Sequence, residues 1–350
     1  MQHDAPLQAL LLPFDSGALR WPPHGGALFL RGRDGWPLHA KPLPGLVAWQ
    51  PFRADADALQ RAGFAVMEDT GVETHPLVLV LPPRQRDELR ALFARALDVC
   101  SQGGMVLASV ANDEGAKSAE ADLRKLAGGL EGVVSKHHCR VFWARKDSAR
   151  VDEALLAEWR KRDAPRRITV AQLPQGGFLS RPGVFAWDRI DPASALLAAH
   201  LPRDLRGHGA DLGAGWGYLS LEVLARNPQV QALDLYEADA RALALARQNL
   251  ADAGTQAALA FHWHDVTTGL QRSYDFIVSN PPFHAHDAAD RPELGQRFIA
   301  AASQALRKGG RLYLVANRHL PYEAALAAGF GQVRELAQRN GFKVVEAVRT

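Results

Sequence analysis

Two stretches of this 350-residue chain carry the same punctuation, and that repetition constrains the fold more than any other feature. Leu77-Val-Leu-Val-Leu-Pro82-Pro83 is followed by an amphipathic helical pattern over 87–100 and then by Gly103-Gly104-Met-Val-Leu-Ala-Ser-Val-Ala-Asn112. Phe276-Ile-Val-Ser-Asn280-Pro281-Pro282 is likewise followed by a helical pattern and by Gly309-Gly310-Arg-Leu-Tyr-Leu-Val-Ala-Asn317. Cys139-Arg-Val-Phe142 echoes Phe342-Lys-Val-Val345 near the end of each half. Three matches in one order indicate duplication, so both halves must adopt one architecture. A charged stretch over 147–167, closing in Pro165-Arg166-Arg167, reads as a domain edge and predicts domains over 1–165 and 166–350.

The second half alternates strand and helix patterns from Asp191-Pro192, a helix cap followed by proline at the first helical position. Such alternation predicts a parallel sheet covered on both faces. Its last two strand patterns, around 333–336 and 342–348, are separated by the short turn 338–341, which requires an antiparallel hairpin at the sheet edge. The expected fold is therefore α/β, a Rossmann-like sheet with an antiparallel C-terminal hairpin, preceded by a degenerate copy of itself.

Asp211-Leu-Gly213-Ala-Gly215-Trp-Gly217 lies between a strand pattern and a helix pattern. Glycines there permit positive φ and close approach of backbone to a ligand. The dinucleotide fingerprint would need glycine at Tyr218, which argues against a nicotinamide or flavin site. The acid ahead of the first glycine repels a pyrophosphate but suits a cationic ligand such as the amino-acid end of S-adenosylmethionine. Glu237 closes the next strand, where a carboxylate can accept both ribose hydroxyls, and Asp265 ends the third, within reach of an adenine amino group. Asp239 is the rival to Glu237 and reads better as a helix cap.

Ser279-Asn280-Pro281-Pro282-Phe283 ends the fourth strand pattern. Consecutive prolines offer carbonyls and no N–H donors, and Asn280 adds a side-chain carbonyl. Two converging acceptors are what an exocyclic NH₂ group requires. They bind both protons and aim the nitrogen lone pair at an electrophile, while Phe283 can stack on a base.

The order Asp211–Gly217, Glu237, Asp265, Asn280–Phe283 resembles class I S-adenosylmethionine-dependent methyltransferases of the amino-methylating branch. It is most similar to the bacterial rRNA guanine-N2 methyltransferases of the RsmC and RlmG kind. The lead-in Phe178-Leu-Ser-Arg-Pro-Gly183-Val-Phe185 … Asp191-Pro-Ala-Ser194 shares the likeness, as do Val315-Ala-Asn317 … Leu320-Pro-Tyr322 and Phe342-Lys343-Val344. The resemblance covers 178–350 and departs at Ala285-His286-Asp287, where the family commonly has Asp-Gly. It implies S-adenosylmethionine as cofactor, held by Asp211, Gly213, Gly215, Gly217, Glu237, Asp265, Val266 and Asn280. It implies guanine handled by Asn280, Pro281, Pro282 and Phe283, and ribosomal RNA or an assembled ribosomal subunit as partner. Methylation of 16S rRNA is the leading expectation and 23S rRNA the alternative. An enzyme acting on adenine N6 or a protein glutamine would use the same tetrapeptide, and a non-catalytic RNA-binding module is a further rival, which the retained Asn280 opposes.

Composition narrows the remaining classes. Net charge is +3, and the 21 basic and 21 acidic residues up to Asp163 cancel, too mild a balance to announce nucleic-acid binding alone. Cys100 and Cys139 form no C-x-x-C pair, which argues against a disulfide scaffold or zinc ribbon. His262, His264, His284 and His286 lack metal-ligand spacing, so no metal is expected. No signal peptide or membrane span is legible, and a cytoplasmic location is the default expectation. Lys136-His137-His138 and Arg145-Lys146 read as solvated surface before phosphate contacts.

Overall fold

A computed structural model describes residues 4–24, 26–171, 173, 176–251, 253–282 and 292–350. The chain divides into two compact units, one of 1–164 with 181–183 and one of 165–180 with 184–350. No described helix is long and apolar enough to cross a membrane.

In the first unit the strands are β1 (Ala27–Leu30), β2 (Leu46–Trp49), β3 (Ala65–Met67), β4 (His75–Val80), β5 (Cys100–Ala111), β6 (Gly132–Lys136) and β7 (Cys139–Arg145). They form one seven-stranded sheet in the order β3-β2-β1-β4-β5-β7-β6. The second unit opens with a ribbon of β8 (Arg166–Thr169) and β9 (Gly177–Ser180). Its sheet contains β10 (Gly207–Leu212), β11 (Val230–Glu237), β12 (Ala258–Trp263), β13 (Tyr274–Ser279), β14 (Leu306–Asn317), β15 (Gln332–Arg339) and β16 (Phe342–Val348). The order, β12-β11-β10-β13-β14-β16-β15, reproduces the first sheet strand for strand. In each, only the strand inserted next to last is reversed, pairing antiparallel with both of its neighbours.

The apolar pattern explains why both sheets are buried on two faces. In β13, Phe276 and Val278 join the core cluster that contains Val223 and Leu245, while Ile277 joins the opposite cluster with Ile299 and Ala302. Alternate side chains of one strand thus feed two cores, as a helix-covered parallel sheet demands. The glycine pair Gly309-Gly310 lies inside β14. A register shift between Tyr274 and Phe276 accommodates it, with Gly309 at φ 78°.

Register aligns the two copies residue by residue. Leu30 pairs with Trp49 and Val80, and Leu212 pairs with Tyr236 and Ser279. The residues that follow correspond: Arg31 to Gly213, Gln50 to Glu237 and Leu81 to Asn280. Arg31 adopts φ 55° at its glycine-like position and pairs with buried Glu88 at 2.5 Å. Arg33 stands at the place of Gly215 and forms a two-pronged pair with Asp4 at 2.7 and 3.0 Å. Large side chains therefore occupy the turn that glycines line in the second unit.

One side chain ties the ribbon to the second sheet. Asn249, on the helix Ala240–Ala251, accepts from Leu179 N–H at 2.7 Å and donates to the carbonyls of Leu179 and Trp216, each at 2.9 Å. Trp216 in turn stacks on Phe178 with centroids 3.7 Å apart and 3° between planes. Asn249→Leu would strand three half-buried backbone groups and is expected to cost about 2–4 kcal/mol, measured by urea unfolding of the intact chain.

Candidate active site

The site lies where β10, β11, β12 and β13 end. Pairing of Leu212 with both Tyr236 and Ser279 brings three chain ends to one level. The turn after β10 is pinned by Gly213 and Ala214 N–H groups donating to Tyr236 carbonyl at 2.9 and 3.1 Å. Gly213, Gly215 and Gly217 all take positive φ, 76°, 55° and 97°. A Cβ on Gly215 would meet nothing within 4 Å, while one on Gly213 would lie 3.8 Å from the Asn280 carbonyl oxygen. The glycines leave an open hollow beside the Asn-Pro-Pro corner. Gly217 serves packing instead, since a Cβ there would lie 2.8 Å from Leu250. Trp216, buried against Phe178, is likewise a packing residue.

Glu237 is half-buried, and each of its oxygens holds backbone: Oε2 accepts from Gly215 N–H at 2.7 Å and Oε1 from Asp239 N–H at 2.8 Å. A carboxylate has lone pairs for about four donors, so these bonds do not exhaust its capacity to accept from a hydroxyl. Burial pushes its carboxyl up to about 7. Asp239 accepts from Arg241 N–H at 2.9 Å and caps the next helix, the role its sequence position suggests. Gln50, the counterpart of Glu237 in the first unit, accepts from Phe52 N–H at 2.9 Å and donates to Gly32 carbonyl at 2.7 Å. The bond from the N–H two residues onward persists there without charge, while the other contact becomes a donated one.

Asp211 is fully buried. Its Oδ2 accepts from Ser220 Oγ at 2.7 Å, and its Oδ1 is buried with no partner among the described residues. Burial pushes this carboxyl, too, up to about 7. Asp265 accepts from Thr267 N–H at 2.9 Å, and Val266 beside it is buried. His262 stacks on Tyr236 at 4.5 Å between centroids, and His264 bonds the Gly269 carbonyl at 2.7 Å. Among the described residues no group of three or more His, Cys, Asp or Glu could hold a metal ion.

Pro281 is buried and Pro282 exposed. Asn280 is half-buried: its Nδ2 donates to Asp191 Oδ2 at 3.0 Å and to Ser194 Oγ at 2.8 Å, while its Oδ1 is buried without a partner among the described residues. A buried acceptor left unmatched costs about 1–3 kcal/mol, the sign of a place kept for a donor. Phe283, His284 and His286 lie outside the described residues. A separate cavity of about 1110 Å³, lined by Arg206, Gln229, Asp275, Arg307 and Arg311, opens at the amino ends of these strands and belongs to no part of this site.

The chain matches the family described as Methyltransferase small domain over residues 175–346. Across 304 residues it is 30% identical to ribosomal RNA small subunit methyltransferase C of Shewanella pealeana, covering 86% of this chain and 84% of that protein. It is 30% identical over 317 residues to the Pseudomonas putida protein of the same name, covering 88% and 90%. This chain belongs to the ribosomal RNA small subunit methyltransferase C family. A solved structure of the Thermus thermophilus 16S rRNA N2 G1207 methyltransferase (RsmC), in complex with AdoMet and guanosine, shares the fold. Its TM-score is 0.80 at 23% identity, over 99% of this chain and 92% of that one.

The site-supporting roles of three residues carry no local signal in the sequence: Ser194, Ser220 and Asn249. Their partners Asn280, Asp211 and Leu179 lie 86, 9 and 70 residues away. Asp191 caps its helix as its sequence position predicts, accepting from Ser194 N–H at 2.8 Å, and it also holds Asn280.

The raised carboxyls set a pH dependence. A folded pKa above the unfolded one means that the neutral form stabilises the ligand-free fold. That stability is complete below the unfolded carboxylate range and is lost as pH rises through about 7. Asp211→Asn abolishes the charge while keeping an acceptor for Ser220. It is expected to unfold at higher urea than wild type at pH 8.5, by roughly 3–4 kcal/mol, with the gap shrinking below pH 7 and closing only below about pH 4, in the unfolded carboxylate range.

Proposed function

We infer that this protein transfers a methyl group from S-adenosylmethionine to the exocyclic N2 amine of a guanosine in 16S ribosomal RNA. The observation that carries this reading is the Asn280 carboxamide, its donor end tied and its acceptor end unmatched among the described residues, next to a glycine-lined hollow flanked by carboxylates. The relatives' names and the guanosine in the Thermus structure support the substrate class.

The residues present fit the cofactor. Gly213 and Gly215 leave the room, and unpartnered Asp211 Oδ1 offers buried negative charge to an ammonium. Glu237 keeps lone pairs for ribose hydroxyls, and Asp265 keeps an oxygen for an adenine amine. S-adenosylmethionine supplies, when bound, an electrophilic methyl on a sulfonium. The protein's own task is to place a nucleophile. Asn280 Oδ1 and the Pro281 carbonyl accept the two N2 protons, which withdraws the lone pair from the ring and points it at the methyl carbon. Rate then comes from alignment, and no strongly basic side chain is required because the proton leaves once nitrogen is cationic. A guanine in a helix must first be splayed out, at a cost of a few kcal/mol.

The first unit, its turn occupied by Arg31 and Arg33 and its corner closed by Leu81, serves as the RNA-contacting domain in this reading. An assembled subunit is the proposed substrate form, and the cytoplasm the proposed compartment. Lys136 and His138 are exposed on the β6–β7 hairpin. Lys136→Glu with His138→Glu is expected to weaken rRNA binding about tenfold and lower its salt dependence, with cofactor affinity unchanged.

Incubation with labelled cofactor and ribosomal subunits, followed by mapping of the labelled nucleotide, tests the reaction directly. Label at a 16S guanine N2 is the expected result; label on 23S rRNA, on adenine or on protein would replace it. Asn280→Ala is expected to lower transfer by about 10³-fold or more while cofactor affinity stays within about twofold.

A further inference from the structure

A carboxamide is an asymmetric tool. One end only accepts and the other only donates, and turning it over exchanges the two. Methyl transfer to an amino group needs the accepting end of Asn280 presented and held, because an amide free to turn would meet the NH₂ group with another NH₂ for part of the time.

Two side chains decide the orientation. Asp191 Oδ2 and Ser194 Oγ receive Nδ2 of Asn280 at 3.0 and 2.8 Å. With the amide reversed, its carbonyl oxygen would face the Asp191 carboxylate at that distance with no proton between them, so reversal is strongly opposed. Asp191 is itself immobilised, since the same oxygen accepts from Ser194 N–H at 2.8 Å as the cap of the helix Pro192–His200. Pro192 follows and contributes no competing N–H. Ser194, buried on the first turn, offers its hydroxyl from the same rigid support. The first turn of one helix thus sets the polarity of an amide on a strand that arrives nearly ninety residues later, a separation of 86–89 positions.

We propose that Asp191 and Ser194 are positioning residues for methyl transfer: they lock the Asn280 carboxamide with Oδ1 directed to the guanine amino group. The proposal rests on the reading that Asn280 accepts from that group. It goes beyond helix capping, and the two roles separate experimentally. Serine caps helices about as well as aspartate, so Asp191→Ser keeps the cap while withdrawing the carboxylate. Ser194→Ala deletes the second acceptor, and Ser194→Thr retains it.

Steady-state kinetics on the full chain with ribosomal subunits as substrate, beside Asn280→Ala and thermal melting of every variant, form the test. The expected kcat is lower by roughly 10–100-fold in Asp191→Ser and about tenfold in Ser194→Ala, the loss of one charge-assisted and one neutral hydrogen bond respectively. KM values for cofactor and RNA should stay within about twofold, and Ser194→Thr should recover most of the lost kcat. Wild-type kcat in Asp191→Ser and Ser194→Ala, with Asn280→Ala inactive, would overturn the proposal while leaving the reaction intact. So would equal losses in Ser194→Ala and Ser194→Thr, or losses that merely track the folded fraction. Full activity in Asn280→Ala would instead remove the role of Asn280, and the proposal with it.

Discussion

The register between β10 and its two neighbours governs everything else in the second unit. Because Leu212 sits opposite Tyr236 on one side and Ser279 on the other, the glycine turn, Glu237 and Asn280 leave the sheet together. Ser279 Oγ reinforces the alignment by donating to Leu212 carbonyl at 2.7 Å. A parallel pair slipped by one residue would turn every core side chain to the wrong face, so burial on both faces fixes the site as a by-product of fixing the sheet. Ligand-binding groups at the carboxyl ends of such strands need no separate organising principle.

Around that alignment the site is held by neutral and charged polar bonds in a largely apolar setting. The carboxyls of Asp211 and Glu237 are both raised by burial, and both anchor local structure through one or more hydrogen bonds. Such groups are expensive to ionise without a cation or hydroxyl nearby, which favours a polar, positively charged ligand over an apolar one. The same low polarity strengthens whatever hydrogen bonds a bound base would make with the Asn280 amide.

Much of this was legible in the residues. The duplicated Pro-Pro and Gly-Gly punctuation predicted one architecture used twice, and the sheets repeat it in the same strand order. The antiparallel ending followed from the short turn before Phe342, and the structure inserts β16 between β14 and edge strand β15. Local signals marked the glycine turn and the Asn-Pro-Pro corner because their chemistry is written in consecutive residues. What could not be read were bonds between distant segments, such as Asn249 to β9 or Ser194 to Asn280, where serine and asparagine on helices carry no local sign of their partners. The irregularity in β14 is hidden for a related reason: a bulge is a property of the pair of strands, and one strand alone does not display it.

The exchange of Glu237 for Gln50 between the two sheets has a consequence for interpreting any variant of this chain. Both side chains receive the N–H two residues onward, from Asp239 and from Phe52, so that bond belongs to the turn itself. Only the second oxygen differs, replaced in Gln50 by a donor to Gly32 carbonyl. The protein therefore carries its own internal control, a natural amide substitution that keeps the loop in shape while discarding an anion. A glutamine introduced at Glu237 would repeat an experiment that duplication and drift have already run.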